Sequence, residues 1–210
     1  MKRKEPDYLR DLSKLDNLLE EIREEALNRE GVREEMEKLK EFSPMIYDHG
    51  LNVCRRACLV AFNKEIERDR IVDIATASLL VDCGSRMVRK ELLEREGKLS
   101  KEEFFEVKQH VKDSVQIARE LNLPNSVVTM IENHHERNNG NGYLNKVKLE
   151  ECPYDVQLVA ACDCFEALRE KRPYRSRHTL KESVDMMKYQ ERTDFNMELI
   201  LDVTNTLIFD

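Results

Sequence analysis

Two adjacent histidines, His134 and His135, open the stretch HHERNNGNGY, where a helical pattern ends and a glycine-rich loop begins. Adjacent histidines at a helix end can turn both imidazoles into one cavity, and neutral imidazole is a common ligand of transition metals. Gly140 and Gly142 lie within three residues of each other, so the loop can fold tightly or lie against a ligand. A solvated helix terminus, where the helix dipole favours histidine, explains the stretch equally well.

The elements that must position these residues are predicted to be helices, since apolar residues recur at intervals of three and four. Ser43-Pro44 has the chemistry of a helix start, with a capping hydroxyl followed by proline at the first helical position. Ser100 to Glu103 forms a capping box that opens another helix. Gly84 is expected to end a helix over about residues 69–83 as its C-cap. No alternating strand pattern of useful length occurs, so the sequence predicts an all-α fold.

Residues 8–42 are predicted to be helical, with a break at Gly31. Apolar residues alternate spacings of three and four along an a/d seam: Leu12, Leu15, Leu19, Ile22 and Ala26. We expect this seam to pack onto the following domain, with dimerisation through the N-terminal helices as the alternative. The predicted organisation is an N-terminal helical extension over residues 1–44 and one helical domain over residues 45–210.

Four of the five histidines and two aspartates fall on core-facing positions of five predicted helices: His49, Asp82, His110, His134, His135 and Asp163. Each has an ordinary explanation by itself, but a core of this size rarely buries so many unpaired polar groups. A shared metal site explains all six, because imidazoles and carboxylates suit Fe, Mn or Zn. Asp82 or Asp163 could bridge two metals, and such a pair activates water and clamps a phosphoryl group.

Composition narrows the class of protein. Of 210 residues, 40% are hydrophobic, which allows a real core, and 37% are charged. The net charge of -7 argues against a nucleic-acid-binding protein. No apolar run approaches the roughly 20 residues that span a bilayer, and the first residues, MKRKEPDYLRDLSK, are not a signal peptide. We therefore expect a cytoplasmic protein that does not contact a membrane. The six cysteines form no CxxC pair and are expected to be reduced, with none of them bound to metal. Cys54, Cys58, Cys162 and Cys164 are expected to be small buried apolar residues.

From about residue 46 to 204 the chain resembles the HD-GYP family, metal-dependent phosphohydrolases of the HD superfamily that hydrolyse cyclic di-GMP. The matching segments are LLVDCGSR, LLEREGKLSKEEF followed by VKQH, HHERNNGNGYL, AACDCFEAL and KRPYR, in the family's order and with near-family spacing. The combination of HHExxxGxGY with a downstream DxxxAL is specific. The resemblance implies the HD-domain helical bundle and a metal-dependent phosphodiesterase centre.

The resemblance also implies roles, residue by residue. Metal ligands are implied at His49, Asp82, His110, His134, His135 and Asp163, with Asp82 as the bridge and with Asp82 and Asp163 at the catalytic centre. Substrate contacts are implied at Arg172, Arg175, Glu166 and Tyr143. The two arginines match positions that hold phosphates, and Glu166 stands where the family usually has aspartate.

The chain departs from the family pattern at four positions. Val81 stands in place of the histidine of the HD doublet, and Ser85 in place of a phosphate-binding lysine. Met45 replaces a glutamate that some members carry, and Leu144 replaces the proline of GYP. A lost ligand and a lost phosphate cation each weaken catalysis. The sequence therefore favours reduced or absent phosphodiesterase activity.

Two classes of function follow from the resemblance. One is a phosphodiesterase of cyclic di-GMP or a related cyclic dinucleotide, which uses one or two divalent ions, with Fe or Mn favoured and Zn or Ni as alternatives. The other is a degenerate domain that binds nucleotide, or binds a protein partner through the loop Gly140–Tyr143 and the N-terminal helices. A purely structural bundle leaves the buried aspartates unexplained.

Overall fold

The computed structural model describes residues 12–172, 176–189 and 193–206, and within these ranges the protein is built from helices without a β-strand. The prediction of an all-α fold is thus confirmed. The helices, in chain order, are α1 (Leu12–Leu27), α2 (Val32–Phe42), α3 (Pro44–Asn63), α4 (Arg68–Leu80), α5 (Lys90–Leu93), α6 (Lys101–Lys108), α7 (His110–Glu120), α8 (Asn125–Asn133), α9 (Tyr154–Arg169), α10 (Leu180–Tyr189) and α11 (Met197–Asn205). Two short 3₁₀ turns, Cys83–Met87 and Leu149–Glu151, connect them.

The two N-terminal helices pack onto the rest of the chain. Seam residues Leu15, Leu19, Ile22 and Ala26 of α1 are buried, and α1 lies mainly against α4. Gly31 separates α1 from α2 in a left-handed conformation (φ 77°), which glycine adopts without steric cost. Packing within the chain therefore accounts for the predicted apolar seam, while residues 1–11 lie outside the described part.

One continuous core runs from α1 to α11. At its centre α3 packs against α4 and α9, α4 against α8, and α8 against α7 and α9. Apolar spacing explains this arrangement, because α3 and α9 each turn a long apolar face inward. The six predicted ligands lie on these five helices or within two residues of their ends.

The predicted helix starts are confirmed. Ser43 Oγ accepts a hydrogen bond from Ile46 N–H at the start of α3, and Ser100 and Glu103 form both hydrogen bonds of the capping box. Such caps each stabilise a helix by about 1 kcal/mol. The Ser43 cap also fixes where α3 begins, and His49 lies on the second turn of this helix.

The predicted role of Gly84 as a C-cap is wrong. Helix α4 ends at Leu80, and Gly84 lies inside the following 3₁₀ turn without a left-handed backbone. Its physical role is close approach: a Cβ atom there would lie 2.2 Å from the His110 carbonyl oxygen and 2.4 Å from the Ser114 amide nitrogen. Glycine at this position lets the turn touch the first turn of α7.

None of the helices within the described ranges is both long enough and apolar enough to cross a membrane.

Candidate metal centre

Six side chains converge into two groups that could each hold a metal ion. Asp82, His110, His134 and His135 form the first group, and His49, Asp82 and Asp163 form the second. Within each group one potential ligand atom per residue lies within 4.8 Å of the others. We call these the four-ligand group and the three-ligand group. Asp82 belongs to both, which is the arrangement that a bridging carboxylate requires.

Two histidines of the four-ligand group are oriented by the backbone. The Nδ1 of His110 lies 2.7 Å from the Val107 carbonyl oxygen, and the Nδ1 of His134 lies 2.6 Å from that of Ile131. Since a carbonyl oxygen can only accept, Nδ1 carries the proton and Nε2 keeps its lone pair. Both Nε2 atoms are buried without a hydrogen-bond partner in the described chain. Buried nitrogen lone pairs left unpaired are costly, and a metal ion would satisfy them.

Asp82 sits between the two groups. Its Oδ1 lies 3.1 Å from His110 Nε2 and 4.0 Å from His134 Nε2, and its Oδ2 lies 3.7 Å from His49 Nε2. Burial alone would lower the pKa of His110, but Asp82 raises it, so the 3.1 Å contact is attractive when the ring is protonated and no cation is bound. Burial alone would raise the pKa of the Asp82 carboxyl, but these imidazoles lower it well below its usual value. The bridge is therefore ionised at neutral pH.

The three-ligand group is held by a short contact between His49 Nε2 and Asp163 Oδ1, at 2.8 Å. Burial alone would lower the pKa of His49, but hydrogen bonds to Asp163 and Glu170 outweigh it and raise the pKa to about 10. Burial likewise favours the neutral form of Asp163, whereas the contact with His49 lowers its pKa overall. Without metal, His49 is thus an imidazolium between two carboxylates. A divalent cation in this group would replace the proton on Nε2.

His134 and His135 are neutral at neutral pH. Burial lowers the pKa of both, and the neighbouring His134 lowers that of His135 further. Metal ligation requires neutral imidazole and ionised carboxylate. The donor set therefore fits a hard or borderline divalent ion, and no cysteine takes part in a ligand group within the described residues.

The buried carboxylate of Glu136 holds the glycine-rich loop next to the histidine pair through hydrogen bonds. Glu136 is fully buried, and its Oε1 accepts hydrogen bonds from the amides of Asn145 and Lys146 at 2.8 and 2.9 Å. A Cβ on Gly142 would come within 2.6 Å of the Glu136 backbone and carboxylate, so only glycine allows this approach. We assigned no role to Glu136 from sequence, although its place directly after the histidine pair was the available signal.

Tyr143 lies against the four-ligand group. Its amide donates to the His135 carbonyl at 3.2 Å, and its ring stacks on the His135 ring at a centroid distance of 4.5 Å. Phe104 of α6 meets Tyr143 edge-on at 6.3 Å, and the Lys108 ammonium lies over both rings at 4.5 and 5.0 Å. Phe104 remains 46% exposed, so an aromatic rim with one cation borders the candidate centre.

The other residues predicted to contact substrate lie at different places. Arg172 lies beside the three-ligand group, with Nη2 2.9 Å from Glu170 Oε2 and 3.3 Å from His49 Nδ1. Glu166 is buried, and its Oε1 accepts from Arg56 of α3 at 2.7 Å. Neither belongs to the two ligand groups. Arg175 lies outside the described residues.

The positions that depart from the family pattern have structural consequences. Val81 is fully buried in the apolar core, Ser85 is buried, and Met45 packs against the core. Leu144 has φ of 152°, which proline cannot adopt because its ring fixes φ near -65°. The loop conformation of this chain thus excludes the proline of GYP at position 144.

The fold and the two ligand groups define an all-α domain built around candidate metal ligands. A family model described as HD domain matches residues 33–199, and the chain belongs to this HD domain family. A cyclic di-GMP phosphodiesterase of Pseudomonas aeruginosa, PA4108, is 26% identical over 178 residues, which are 84% of this chain and 43% of that protein. A 3′3′-cGAMP-specific phosphodiesterase 3 of Vibrio cholerae is 28% identical over 156 residues, 74% of this chain and 34% of that protein.

The chain spans less than half the length of these curated relatives. Among solved structures, Bd1817, described as an HDG"Y"P protein from Bdellovibrio bacteriovorus, superposes with a TM-score of 0.66 at 14% identity. That superposition covers 96% of this chain and 66% of Bd1817. At this identity the likeness concerns the fold alone.

Proposed function

We propose that this chain is a metal-dependent phosphodiesterase domain that hydrolyses a cyclic dinucleotide. The observation that carries the proposal is the pair of ligand groups that share Asp82. Two relatives whose names specify cyclic di-GMP and 3′3′-cGAMP phosphodiesterase activity support the substrate class. Both substrates contain phosphodiester bonds, which a shared-carboxylate metal pair is suited to hydrolyse.

The residues would divide the work as follows. His110, His134 and His135 would hold one divalent ion, His49 and Asp163 the other, and Asp82 would bridge them. Divalent ions held by these residues would supply an activated water and would neutralise charge on the phosphate. The protein's own task is to keep the carboxylates ionised and the Nε2 lone pairs aimed inward. The neighbouring imidazoles do the first against the effect of burial, and the backbone contacts of His110 and His134 do the second.

Substrate contacts are proposed at the two edges of the centre. Arg172 has five N–H donors, so it can hold Glu170 with one and present others to a phosphate. Tyr143, with Phe104 and Lys108, offers faces on which a purine base could stack, a contact worth about 1–3 kcal/mol per base. Arg175 stays a predicted phosphate contact. Glu166 would contribute indirectly, by holding Arg56 and the α3–α9 interface.

The metal is proposed to be Fe or Mn, with Zn or Ni as alternatives, because mixed imidazole and carboxylate ligands serve all four. Metal analysis of protein purified anaerobically without chelator would distinguish them. The same measurement gives the number of ions per chain, with two expected if both groups are occupied.

The proposal is tested by incubating the full chain, loaded with Mn²⁺ or Fe²⁺, with cyclic di-GMP and with 3′3′-cGAMP. Hydrolysis to linear dinucleotide is expected with at least one of them, and Asp82→Asn should abolish it because the bridging charge is lost. Turnover of neither substrate, together with no detectable binding of either by calorimetry, would refute the proposed substrate class.

A non-catalytic nucleotide-binding domain is the second candidate, and the burial of Val81 and Ser85 favours it. It predicts binding of a cyclic dinucleotide without turnover. If the two replacements cause the defect, Val81→His with Ser85→Lys should raise the rate about tenfold or more, since a lost charge-stabilising group costs about 10²–10³ in rate. Since Val81 lies in the core, thermal unfolding must show that the variant is folded. A folded, metal-loaded variant with no gain would place the defect elsewhere.

Other expectations remain predictions. A homodimer through the N-terminal helices would have to use surfaces other than Leu15, Leu19, Ile22 and Ala26 of the α1 seam, because these residues are buried within the chain. A protein partner at the loop Gly140–Tyr143 and a cytoplasmic location are likewise untested.

A further inference from the structure

Glu170 contacts a predicted metal ligand from outside the two ligand groups. It follows the last residue of α9 in an extended conformation, which turns its carboxylate back toward α3. There Oε2 lies 2.9 Å and Oε1 3.0 Å from His49 Nδ1, so both oxygens share one ring nitrogen. Because a carboxylate can only accept, Nδ1 carries the proton and donates.

This contact fixes which nitrogen of His49 faces the centre. With Nδ1–H held by Glu170, Nε2 is the nitrogen that points to Asp163 and Asp82. His110 and His134 are oriented in the same way, but by backbone carbonyl oxygens. His49 alone of these three has an anionic acceptor, which makes the imidazole a stronger electron donor toward a cation.

Glu170 is itself held on both sides. Arg172 Nη2 donates to Oε2 at 2.9 Å, and Asn52 Nδ2 donates to Oε1 at 3.3 Å. The Glu170 side chain is only 15% exposed, so these contacts are poorly screened by solvent. The carboxylate thus has a fixed position, and its attraction to the Nδ1–H is present before any metal arrives.

The two ligand groups differ in how many imidazole ligands they contain. The four-ligand group has three imidazoles and one carboxylate, whereas the three-ligand group has His49 as its one imidazole. Val81 stands where the family pattern supplies a further histidine, and its side chain is fully buried and apolar. A group with few ligands depends more strongly on the orientation of each.

We propose that Glu170 is a positioning residue for His49, which raises the affinity of the three-ligand group for a divalent ion. The inference rests on the metal-binding part of the proposed function and not on turnover. It assigns Glu170 to the metal centre without making it a ligand. It also gives Arg172 a second task, because the same guanidinium that could reach a phosphate holds Glu170 in place.

The test is titration of the metal-free full chain with Mn²⁺ by calorimetry, in wild type, Glu170→Ala and Glu170→Gln. Glu170→Ala should weaken the affinity of one class of Mn²⁺ site by about 10–100-fold, the usual effect of removing an outer-shell partner. The other class, built on His110, His134 and His135, should keep its affinity. Glu170→Gln should restore part of the loss, because its amide oxygen still accepts from Nδ1–H but carries no charge.

Glu106→Ala is the matched control, since Glu106 is a surface glutamate that pairs with Arg89. It should leave both Mn²⁺ affinities unchanged. Far-ultraviolet circular dichroism of the metal-free variants reports whether the helices are intact. An unchanged titration for Glu170→Ala, or equal weakening of every Mn²⁺ site, would overturn the assignment. A protein that binds Mn²⁺ as expected yet hydrolyses no cyclic dinucleotide would refute the proposed function and leave this inference standing.

Discussion

Replacing Gly84 by alanine should move Asp82 away from His110 in the candidate metal centre. A Cβ atom at this position would lie 2.2 Å from the His110 carbonyl oxygen, 2.4 Å from the Ser114 amide nitrogen and 2.8 Å from Asp113 Cβ. The two nearest atoms belong to the backbone of α7, so no side-chain rotation can relieve the clash. To reach even 3.0 Å, the turn and α7 must move apart by about 0.8 Å.

The movement has a cost in stability and a cost in ligand geometry. Overpacking of a core costs about 1–3 kcal/mol, and a clash with rigid backbone places Gly84→Ala near the upper end. In a domain of this size, 1 kcal/mol lowers Tm by about 2–4 °C, so we expect a fall of roughly 6–12 °C. Because Asp82 lies on the moving turn and His110 begins α7, their separation should grow and Mn²⁺ affinity at the four-ligand group should fall about tenfold or more.

Thermal unfolding of the metal-free protein and Mn²⁺ titration together test this reasoning. Gly97→Ala is the control: Gly97 has φ of 111°, but a methyl group at this position would have no atom within 4 Å, so only backbone strain of about 1–3 kcal/mol is expected. Its Mn²⁺ affinity should match that of wild type. Gly84→Ala with wild-type Tm and wild-type Mn²⁺ affinity would show that the turn does not hold Asp82 against α7.

Three further outcomes are expected. His134→Ala should lower the metal content per chain, whereas the control His178→Ala should not, because His178 belongs to neither ligand group. Equal metal content in the two variants would contradict the assignment of the four-ligand group. Glu166→Ala leaves the buried Arg56 guanidinium without this charge partner and should cost about 3–5 kcal/mol in urea unfolding, and a loss under 1 kcal/mol would contradict that role. With a thiol reagent at pH 8, Cys152 and Cys164 should react in the native state and the four buried cysteines only after unfolding; rapid labelling of more than two thiols would contradict the packing.

Helix periodicity correctly predicted which polar side chains of α3 and α9 point into the core. A spacing of 3.6 residues places His49 with Val53 and Asp163 with Val159, and both polar residues are buried on the apolar faces that this spacing defines. Such reasoning identifies which side chains point inward. It cannot say that helices 114 positions apart bring them to the same point, and the family resemblance supplied that step.

Two misjudged residues show where sequence reasoning fails. Gly84 was expected to relieve backbone strain, but it relieves a steric contact with α7, and the letter G is the same in both cases. No role was assigned to Glu170, and a charged residue just after a helix usually faces solvent. Its contact with His49 spans 121 positions and leaves no local pattern. Close approaches and buried ion pairs depend on how the helices pack, so they could not be predicted from the sequence.

The separation of the ligands along the chain has a consequence for folding kinetics. His49 and Asp163 meet only after a loop of 114 positions has closed, and such closure is entropically unfavourable before other contacts reward it. The centre should therefore be complete only on the native side of the folding transition state. Interactions formed that late change the unfolding rate far more than the folding rate. A bound ion would then mainly slow unfolding, so that the native state lasts longer although it does not form faster.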